Sequence, residues 1–305
     1  MKAIQMIDYG STDVLKINEV PRPTLKSKQI LIDTKAIGIN PFDWKLRSGM
    51  FKEMFPLPLP AILGFEVSGI VQEVASDVKD FKIGDRVYAK TEQGYAEQVV
   101  LEADQTHLIP EFLNFEQAAA LPTNTQVAYN VLITLGQLKK NQNVLIHAGS
   151  GGVGIAAIQM AKHFGANVTT TVSSKNIDFV RSLGADHVID YIQVPLEQVT
   201  QKFDLILDSL GGEAQIKSWD LLNENGLLVS LLSDESAHFS QPTHNRKFIF
   251  AVDVLENHSK EIHELIQAGH IQPVVDEIFQ FTEMAQAHRK SELGHVKGKI
   301  IVQVK

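Results

Sequence analysis

Three glycines in the middle of the chain are spaced as G-x-G-x-x-G, the pattern of a turn that binds a dinucleotide. Gly149, Gly151 and Gly154 follow the apolar run NVLIHA and open the helical pattern GVGIAAIQMAKHF. The first glycine allows the tight bend, the second lets a pyrophosphate reach the backbone, and the third lets the helix pack on the strand. The amides of Gly152 and Val153, at the positive end of the helix, would face the phosphates. The alternative is a tight strand-to-helix turn that binds no ligand.

The end of the following strand indicates which dinucleotide binds. An NAD site usually places Asp or Glu about 20 residues after the glycine turn, where the carboxylate bonds the ribose hydroxyls. The strand NVTTTV ends instead in Ser173, Ser174 and Lys175. Two hydroxyls and a cation favour the 2′-phosphate of NADPH. The alternative is that these residues form a helix N-cap followed by a solvated lysine.

The composition of the chain excludes several classes of site and partner. There is no cysteine among the 305 residues, which rules out disulfides, a thiol nucleophile, iron–sulfur clusters and cysteine-containing zinc sites. The net charge is -8 and no lysine- or arginine-rich run occurs, so we expect no nucleic-acid partner. No apolar run approaches the ~18 residues of a membrane span and the N-terminus lacks a signal-peptide core. We therefore expect a soluble, cytoplasmic protein.

The elements that must position these residues change in character near residue 116. Before it, short strand-like segments separated by turns predict an antiparallel, barrel-like domain. After it, strands alternate with helices, which indicates right-handed crossovers and a doubly wound parallel (Rossmann) sheet. The helical segments SKEIHELIQAG and TEMAQAHRKSEL and the strands beside them are assigned to the first domain. The sequence thus predicts a discontinuous β-rich domain, residues 1–116 and 261–305, with a dinucleotide domain, residues 117–260, inserted into it.

Motifs along nearly the whole chain resemble the zinc-free quinone oxidoreductases, the zeta-crystallin-like group of the medium-chain dehydrogenase/reductase superfamily. The motifs are AIGINPFDWKLRSG, LPAILGFEVSGIV, FKIGDRVYA, GYAEQVV, AAALPTNTQVAYNVL, HAGSGGVG, LGADHVIDY, DLILDSLGG and HVKGKIIV. The resemblance implies an α/β fold with a GroES-like, barrel-like substrate domain and an inserted nucleotide domain. It also implies a cofactor and active site in the cleft between the domains, and a homodimer.

Two positions depart from the zinc-dependent branch of that superfamily. The branch has a cysteine where this chain has Asn40 and a histidine where it has Phe65, and only Glu66 remains. A carboxylate alone makes a poor zinc site, so we expect no catalytic zinc. Without a Lewis acid, the easier reaction is hydride transfer to an acceptor that is already polarised, a quinone or an α,β-unsaturated carbonyl. Asn40 is the candidate catalytic hydrogen-bond donor; its alternative role is a turn residue before Pro41.

Further cofactor-binding positions follow from the resemblance. Asp43 and Trp44 belong to a stretch that lines the cofactor cleft in similar enzymes, with a core role as the alternative for Trp44. Tyr191 resembles a tyrosine that helps to hold the adenosine phosphate, or is an ordinary strand-end aromatic. Lys299 resembles a cleft-facing lysine, or lies on the surface of its strand. Residues at the carboxyl ends of two later strands, where such sheets bind ligands, complete the set: Ser209, Leu231, Leu232 and Ser233.

Two other functions stay open beside the reduction of a small quinone or enone. An enoyl-thioester reductase would use the same hydride chemistry on a larger substrate. A non-catalytic NADPH-binding sensor would keep the glycine turn without turnover. No basic patch for a coenzyme A phosphate stands out in the sequence, which argues against the thioester.

The last strand of the predicted parallel sheet bears on assembly. The segment KFIFAVDV, residues 247–254, is rich in β-forming residues and lightly charged. Such a strand is an aggregation hazard if it is left as an open edge. We expect a homodimer partner to cover it; the C-terminal helices of the same chain are the alternative.

Overall fold

The computed structural model describes residues 1–232, 245–251 and 256–305, which fall into two compact units. One unit comprises Met1–Thr123 together with Pro273–Lys305, and the other comprises Asn124–Gln272. The boundaries expected from the sequence, after residues 116 and 260, both lie N-terminal to these changes of unit. The helix of the segment SKEIHELIQAG consequently belongs to the second unit, whereas the sequence pattern placed it in the first.

The first unit is built on two sheets in the described part of the chain. The smaller sheet pairs β1 (Lys2–Met6) with β2 (Leu15–Glu19) and with β4 (Ala61–Ile62). The strands of the larger sheet are β3 (Gln29–Ile39), β5 (Glu66–Val74), β6 (Arg86–Lys90), β7 (Gln98–Glu102), β8 (Thr106–Leu108), β15 (Val275–Gln280) and β16 (Lys299–Gln303). Its order is β15-β16-β3-β5-β6-β8, with β7 paired to β3. Every pair is antiparallel except β15 with β16, which agrees with the antiparallel domain predicted from the sequence.

The long strand β3 organises the core of this unit. Side chains alternate between the two faces of a strand, and Ile30 and Ile32 are therefore both turned into the apolar core. They pack there with residues of β5 and β7 such as Val71 and Val99. Each fully buried isoleucine contributes roughly 1.5–3 kcal/mol to folding, so this strand is a rigid base for the residues that surround it.

Three helices flank these sheets: α1 (Pro41–Ser48), α2 (Phe115–Ala119) and α8 (Met284–Leu293). Helix α1 follows β3 directly and begins at Pro41, whose fixed φ suits the first helical position. The helix ends at Gly49, which has φ 86° and adopts the left-handed conformation of a C-cap. The link from β3 to α1 is short, which fixes the side chain of Asn40 between the two elements.

The second unit contains a six-stranded parallel sheet in its described residues. The strands are β9 (Asn143–Ile146), β10 (Asn167–Val172), β11 (His187–Asp190), β12 (Phe203–Asp208), β13 (Leu222–Ser230) and β14 (Lys247–Phe250). Their order is β11-β10-β9-β12-β13-β14, the doubly wound order of dinucleotide-binding folds. The Rossmann sheet predicted from the sequence is confirmed. Residues 252–254 of the predicted last strand lie outside the described residues.

The described helices of the second unit are α3 (Pro122–Tyr129, starting at the unit boundary), α4 (Gly152–His163), α5 (Ile177–Ser182), α6 (Gly212–Trp219) and α7 (Ser259–Gln267). The segment from Ala118 to Leu135 does not form one continuous helix. Pro122 begins α3 because proline cannot continue a preceding helix, and Asn130–Leu135 then forms a π-helical turn. None of the helices in the described ranges is long and apolar enough to cross a membrane.

Candidate functional site

Asn40, Glu66 and Lys299 form a buried polar cluster in the first unit. Nδ2 of Asn40 donates to Oε1 of Glu66 over 2.9 Å, and Nζ of Lys299 donates to Oδ1 of Asn40 over 2.6 Å. Lys299 also forms an ion pair with the same Glu66 oxygen. The three residues are 4%, 0% and 3% exposed. Burial penalises a lone charge, so the ammonium and the carboxylate are each tolerable here only because they are paired.

Three elements bring the members of this cluster together. Asn40 precedes α1, Glu66 begins β5 and Lys299 begins β16, and β3 lies between β5 and β16 in the sheet. Gly38 of β3 makes room for the carboxylate, since a Cβ at this position would lie 2.5 Å from Oε1 of Glu66. The second oxygen of Glu66 accepts the amide hydrogen of Thr123 over 2.8 Å. The strand position of Lys299 is therefore buried, which excludes the surface role left open by the sequence.

The donor set of this cluster does not fit a zinc ion. Zinc in proteins is held by thiolate, imidazole and carboxylate groups, whereas the cluster offers an amide, an ammonium and one carboxylate. Both oxygens of that carboxylate already accept hydrogen bonds. Phe65, at the position compared with a zinc-ligating histidine, presents a ring that packs 5.3 Å from the ring of Phe42. Across residues 1–232, 245–251 and 256–305, no three histidine, aspartate or glutamate side chains are grouped as a metal site.

Behind the cluster, Asp43 begins a chain of buried hydrogen bonds. Its Oδ2 accepts the backbone N–H of Asn40 over 2.9 Å and the hydroxyl of Tyr95 over 2.7 Å. The Tyr95 oxygen lies 2.9 Å from Nε2 of His288, and Nε of Arg47 lies 3.3 Å from Nδ1 of the same ring. All four side chains that form this series of hydrogen bonds are buried. Asp43, which the resemblance placed beside the cofactor, thus turns its carboxylate into the protein interior.

Burial sets the protonation states along this chain. Burial raises the pKa of Asp43 to about 7, against the opposing effect of the hydrogen bonds from Asn40 and Tyr95. Burial, with the nearby guanidinium of Arg47, lowers the pKa of His288 to about 3. Burial, with the charge of Asp43, raises the pKa of Tyr95 well above its ordinary value. At neutral pH the imidazole is therefore neutral, the phenol is protonated, and Asp43 titrates.

Trp44 lies next to this chain on helix α1. Its side chain is partly exposed, while its Nε1 is buried and has no hydrogen-bond partner in the described part of the chain. The ammonium of Lys45 lies 5.7 Å from the centre of the indole ring, within the range of a cation–π contact. A buried indole N–H without a partner is a donor that a bound polar group would satisfy.

Four phenylalanines form an aromatic cluster beside Asn40. The ring of Phe42 lies 5.6 Å from those of Phe51 and Phe55 and 5.3 Å from that of Phe65. All four side chains are partly exposed. Rings at these separations attract one another through edge and offset contacts. The cluster therefore presents an apolar, aromatic surface at the start of helix α1.

The predicted glycine turn lies in the second unit, between β9 and α4. A Cβ at Gly149 would overlap Oγ1 of Thr170, and a Cβ at Gly154 would overlap the carbonyl of Ala148, so packing requires both glycines. A Cβ at Gly151 would meet only the carbonyl oxygen of Ala148, at 3.3 Å. The backbone at Gly151 is thus open to a ligand from other directions, as a pyrophosphate-binding turn requires.

Helix α4 begins immediately after this turn. Its N-cap is Gly151, which has no side chain to bond the amides of the first turn, including those of Gly152 and Val153. These amides and the positive end of the helix suit an anion. Ile155 and Ile158 are buried and hold α4 against the sheet. The geometry fits the phosphates of a dinucleotide.

His147 lies between the end of β9 and the glycine turn, and its role was not predicted from the sequence. Its Nδ1 lies 3.1 Å from Oγ1 of Thr171, which also accepts the amide hydrogen of Ala148. Its Nε2 lies 2.7 Å from Oγ of Ser218, whose hydroxyl donates to a carbonyl of α6. The proton of His147 therefore lies on Nε2. Burial lowers the pKa of His147 to about 4, so the ring is neutral and structural.

The residues proposed for the adenosine end lie together after β10. Lys175 is exposed, Ser173 is partly exposed, and Ser174 donates to Oδ2 of Asp190 over 2.5 Å. Asp190 ends β11, the neighbour of β10 in the sheet. The sequence analysis therefore missed this carboxylate, because a ribose-binding Asp or Glu was expected only at the end of β10. Tyr191, the next residue, is 51% exposed, and its amide bonds the carbonyl of the β10 residue Val172.

The remaining predicted contacts lie at the carboxyl ends of β12 and β13. Ser209 follows β12, and its hydroxyl lies 3.4 Å from the carbonyl of His147. Leu231 donates its amide hydrogen to the carbonyl of Asp208, and Leu232 is exposed. Both strands end on the edge of the sheet where β9 leads into the glycine turn. Ser233 lies outside the described residues.

Two families of known proteins match the chain. The family described as "Alcohol dehydrogenase GroES-like domain" matches residues 26–113, and the family described as "Zinc-binding dehydrogenase" matches residues 183–302. The positions of Asn40, Phe65 and Glu66 fall within the first match. The second family's description names zinc, but the residues compared with zinc ligands lie outside its matched range.

Individual proteins similar to the chain extend over nearly all of it. A 2-methylene-furan-3-one reductase of Solanum lycopersicum is 36% identical, and the alignment covers 99% of this chain and 79% of the relative. An NADPH-dependent alkenal/one oxidoreductase of Arabidopsis thaliana is 35% identical with the same coverage. The solved structure of the quinone oxidoreductase from Coxiella burnetii superposes with a TM-score of 0.90 at 35% identity, covering 100% of this chain and 99% of the other.

Proposed function

The chain belongs to the quinone oxidoreductase group of the medium-chain dehydrogenase/reductase superfamily, and we propose that it reduces a quinone or an α,β-unsaturated carbonyl with NADPH and without zinc. It is an oxidoreductase, the class of enzyme that the names of these relatives give, and its reaction is hydride transfer. The choice of NADPH over NADH, the absence of a metal step and the individual residue roles are the parts that we propose.

The observation that carries this proposal is the buried ion pair of Lys299 with Glu66, bridged by Asn40. The only cation of the cluster is an ammonium already neutralised by a carboxylate, so the cluster offers no Lewis acid to activate an alcohol. Reduction of a conjugated carbonyl needs less activation by the protein, because that acceptor is already polarised. A hydrogen bond to its oxygen stabilises the charge that develops during hydride transfer.

Asn40 supplies a donor suited to that oxygen. An amide nitrogen carries two hydrogens, and one of them is used by Glu66. Because Oδ1 accepts from Lys299, the amide is held in one orientation with its second hydrogen free of that pair. A preorganised neutral donor of this kind is typical of sites that stabilise an oxyanion.

The second unit provides the cofactor site of the proposal. NADPH, when bound, supplies hydride from C4 of its nicotinamide ring. The first-turn amides of α4 would hold the pyrophosphate, and Lys175 with Ser173 would bind the 2′-phosphate. Ser174 is already bonded to Asp190, so the charge of Lys175 carries most of the preference for the phosphate.

The aromatic cluster of Phe42, Phe51, Phe55 and Phe65 supports a conjugated acceptor. Flat π-systems stack on aromatic rings with a gain beyond the burial of area. The cluster lies beside Asn40 through Phe42, two residues along the chain. A quinone or an enone offers both the flat apolar body and the carbonyl oxygen that these residues favour.

Steady-state turnover after metal removal tests the proposal. The protein is dialysed against a chelator and assayed for NADPH oxidation with a benzoquinone and with a 2-alkenal, and for NADP reduction with simple alcohols. We expect turnover of the conjugated acceptors to survive and alcohols to give none. Loss of activity that zinc restores would contradict the metal-free reaction, and NADPH binding without turnover of any acceptor would indicate a sensor.

Asn40→Ala tests the role of the amide in the same assay. We expect kcat to fall by about 10²-fold, while NADPH affinity changes little, because the donor acts on charge that develops only in the transition state. Asn18→Ala is the matched control, since Asn18 lies in β2 of the smaller sheet and bonds Gln5 of the neighbouring strand β1. Equal effects of the two substitutions would reduce Asn40 to a turn residue before Pro41.

A further inference from the structure

The hydrogen bonds that run from Arg47 to Asp43 have a single possible direction. A guanidinium only donates, so Nδ1 of His288 accepts from Arg47 and the imidazole proton lies on Nε2. Nε2–H must then donate to the Tyr95 oxygen, 2.9 Å away. Because the Tyr95 oxygen accepts this hydrogen bond, the Tyr95 hydroxyl donates its own hydrogen to Oδ2 of Asp43 over 2.7 Å.

The direction of this chain leaves the two oxygens of Asp43 unlike each other. Oδ2 accepts two hydrogen bonds, from Tyr95 and from the backbone of Asn40. Oδ1 is buried and has no partner in the described part of the chain. An ionised carboxylate with one unpaired buried oxygen is destabilised. A proton taken up by Asp43 therefore settles on Oδ1 and leaves both bonds to Oδ2 in place.

Charged and titratable groups from every neighbouring element act on this carboxyl group. Lys299 of β16 favours the ionised form and Glu66 of β5 opposes it. Tyr95, ahead of β7, stabilises the ionised form by its hydrogen bond, and His288 of α8 stays neutral behind it. The net effect of burial and these neighbours is a pKa of about 7 for Asp43.

The backbone of Asn40 connects this chain to the buried cluster. Oδ2 of Asp43 holds the Asn40 amide hydrogen at 2.9 Å, while the Asn40 side chain contacts Glu66 and Lys299. A hydrogen bond to an ionised carboxylate is roughly twice as strong as one to a neutral group. Ionised Asp43 therefore fixes the start of α1 more firmly than protonated Asp43 does.

We propose that Asp43, Tyr95 and His288 are positioning residues for hydride transfer, which fix Asn40 through its backbone, and that protonation of Asp43 weakens this hold and slows turnover. None of the three needs to touch the substrate, since all are buried. The proposal rests on the proposed function, because it concerns the orientation of the donor Asn40. It adds a proton-sensitive step that the ion pair alone does not contain.

The pH dependence of kcat in matched variants tests this proposal. From about pH 8.5 down to about pH 6, kcat of the wild type should fall as Asp43 is protonated. Asp43→Asn should give a kcat near the acid limit of the wild type at every pH, because its amide mimics the protonated acid. Tyr95→Phe removes a bond that favours the ionised form, so the step should move up by about one to two pH units.

Tyr88→Phe is the matched control for Tyr95→Phe. Tyr88 is a second buried tyrosine of this unit, on β6, and its ring lies 5.9 Å from that of His107. The control should keep the pH step of the wild type. The proposal is overturned if Tyr95→Phe and Tyr88→Phe have the same profile, or if Asp43→Asn retains the wild-type step.

Infrared spectroscopy of the resting protein gives a second readout that needs no turnover. A carbonyl band of a protonated carboxylic acid should appear as the pH falls through neutrality, and it should be missing from Asp43→Asn. Absence of that band in the wild type overturns the proposal even if the enzyme is active. Failure of the proposed function shows instead as a wild type that oxidises no NADPH, with the band still present.

Discussion

The side-chain oxygen of Asn40 lies 2.6 Å from the ammonium nitrogen of Lys299, although 259 positions separate the two residues in the chain. Lys299 also pairs with Glu66, so an amide and a carboxylate share one buried cation. The buried positive and negative charges balance, which is the condition under which such groups are stable inside a protein. A change in the last strand therefore reaches directly to the residue that precedes helix α1.

Removing the buried cation should cost much of the protein's stability. Lys299→Met leaves the buried Glu66 carboxylate without its cation, and we expect the free energy of unfolding to fall by about 3–5 kcal/mol. The double variant Lys299→Met with Glu66→Gln removes both charges and should recover most of this loss. Urea denaturation of the two variants and the wild type measures the difference.

A surface lysine of the same unit is the control for this prediction. Lys290 lies 3.5 Å from Glu277 on the protein surface, with 36% of its side chain exposed. Lys290→Met should change the free energy of unfolding by less than about 1 kcal/mol. Equal losses for Lys290→Met and Lys299→Met would contradict the assignment of a buried, charge-balanced cluster.

Local patterns predicted the parts of the site that depend on neighbouring residues. The glycine turn and its helix are confirmed in place because spacing, the preceding strand and the following apolar stripe all lie within one short segment. The buried chain from Arg47 to Asp43 was out of reach, since Arg47 and His288 are 241 positions apart and neither residue type is unusual. Pairing across a fold depends on tertiary packing, which no local periodicity contains.

The position of Asp190 near the predicted cofactor site could have been predicted from the sequence. The doubly wound order places β10 beside β11. Parallel neighbours end on the same edge of a sheet. Asp190, which ends β11, therefore lies near Ser174, and its carboxylate bears on the choice of cofactor.

Charges at the end of β10 and β11 should decide between NADPH and NADH. Lys175→Ala should weaken NADPH binding by roughly 1.5–3 kcal/mol, the range for a hydrogen bond to a charged group, with little effect on NADH. Asp190→Asn should act in the opposite direction, because it removes a negative charge beside the site that we propose for the 2′-phosphate and releases the hydroxyl of Ser174. Calorimetric titration of both cofactors measures the two effects.

Lys202→Ala is the control for these titrations. Lys202 is a lysine of the same unit that donates to the carbonyl of Asp220, after helix α6. Its removal should leave both affinities unchanged. Equal losses of NADPH and NADH affinity in Lys175→Ala, or tighter binding of NADH by the wild type, would refute the choice of NADPH.

The strand β14 should form part of a homodimer contact. It is the last strand of the parallel sheet in the described residues, and the outer edge of such a β-rich strand is rarely left uncovered. The amide of Ala251 bonds the carbonyl of Ser230 on β13, so the amide of Phe250 points away from β13 because alternate residues face opposite sides of a strand. Phe250→Pro removes only this outward donor and should give a monomer or an insoluble protein.

Light scattering of the wild type and of Phe250→Pro measures the assembly. Phe248→Leu is a useful control, since it changes a side chain of the same strand and keeps every amide donor. The control should remain dimeric. A monodisperse wild-type monomer at micromolar concentration would rule out the dimer.

The stability of the protein should pass through a maximum slightly below neutral pH. His147 and His288 are neutral when folded, with pKa values lowered by burial to about 4 and about 3 from 6.5. The unfolded chain binds their protons first, so stability is lost as the pH falls below 6.5. Asp43 acts in the opposite sense, because its pKa is raised from 3.8 to about 7 and its contribution to stability is lost as the pH rises towards 7.

Between about pH 4.5 and 6.5, the two histidines make the free energy of unfolding rise with pH and Asp43 makes it fall. The net slope is about 1 kcal/mol per pH unit. Asp43→Asn removes the falling contribution, and its slope in urea denaturation should be about twice that of the wild type; equal slopes would show that Asp43 does not titrate in this range.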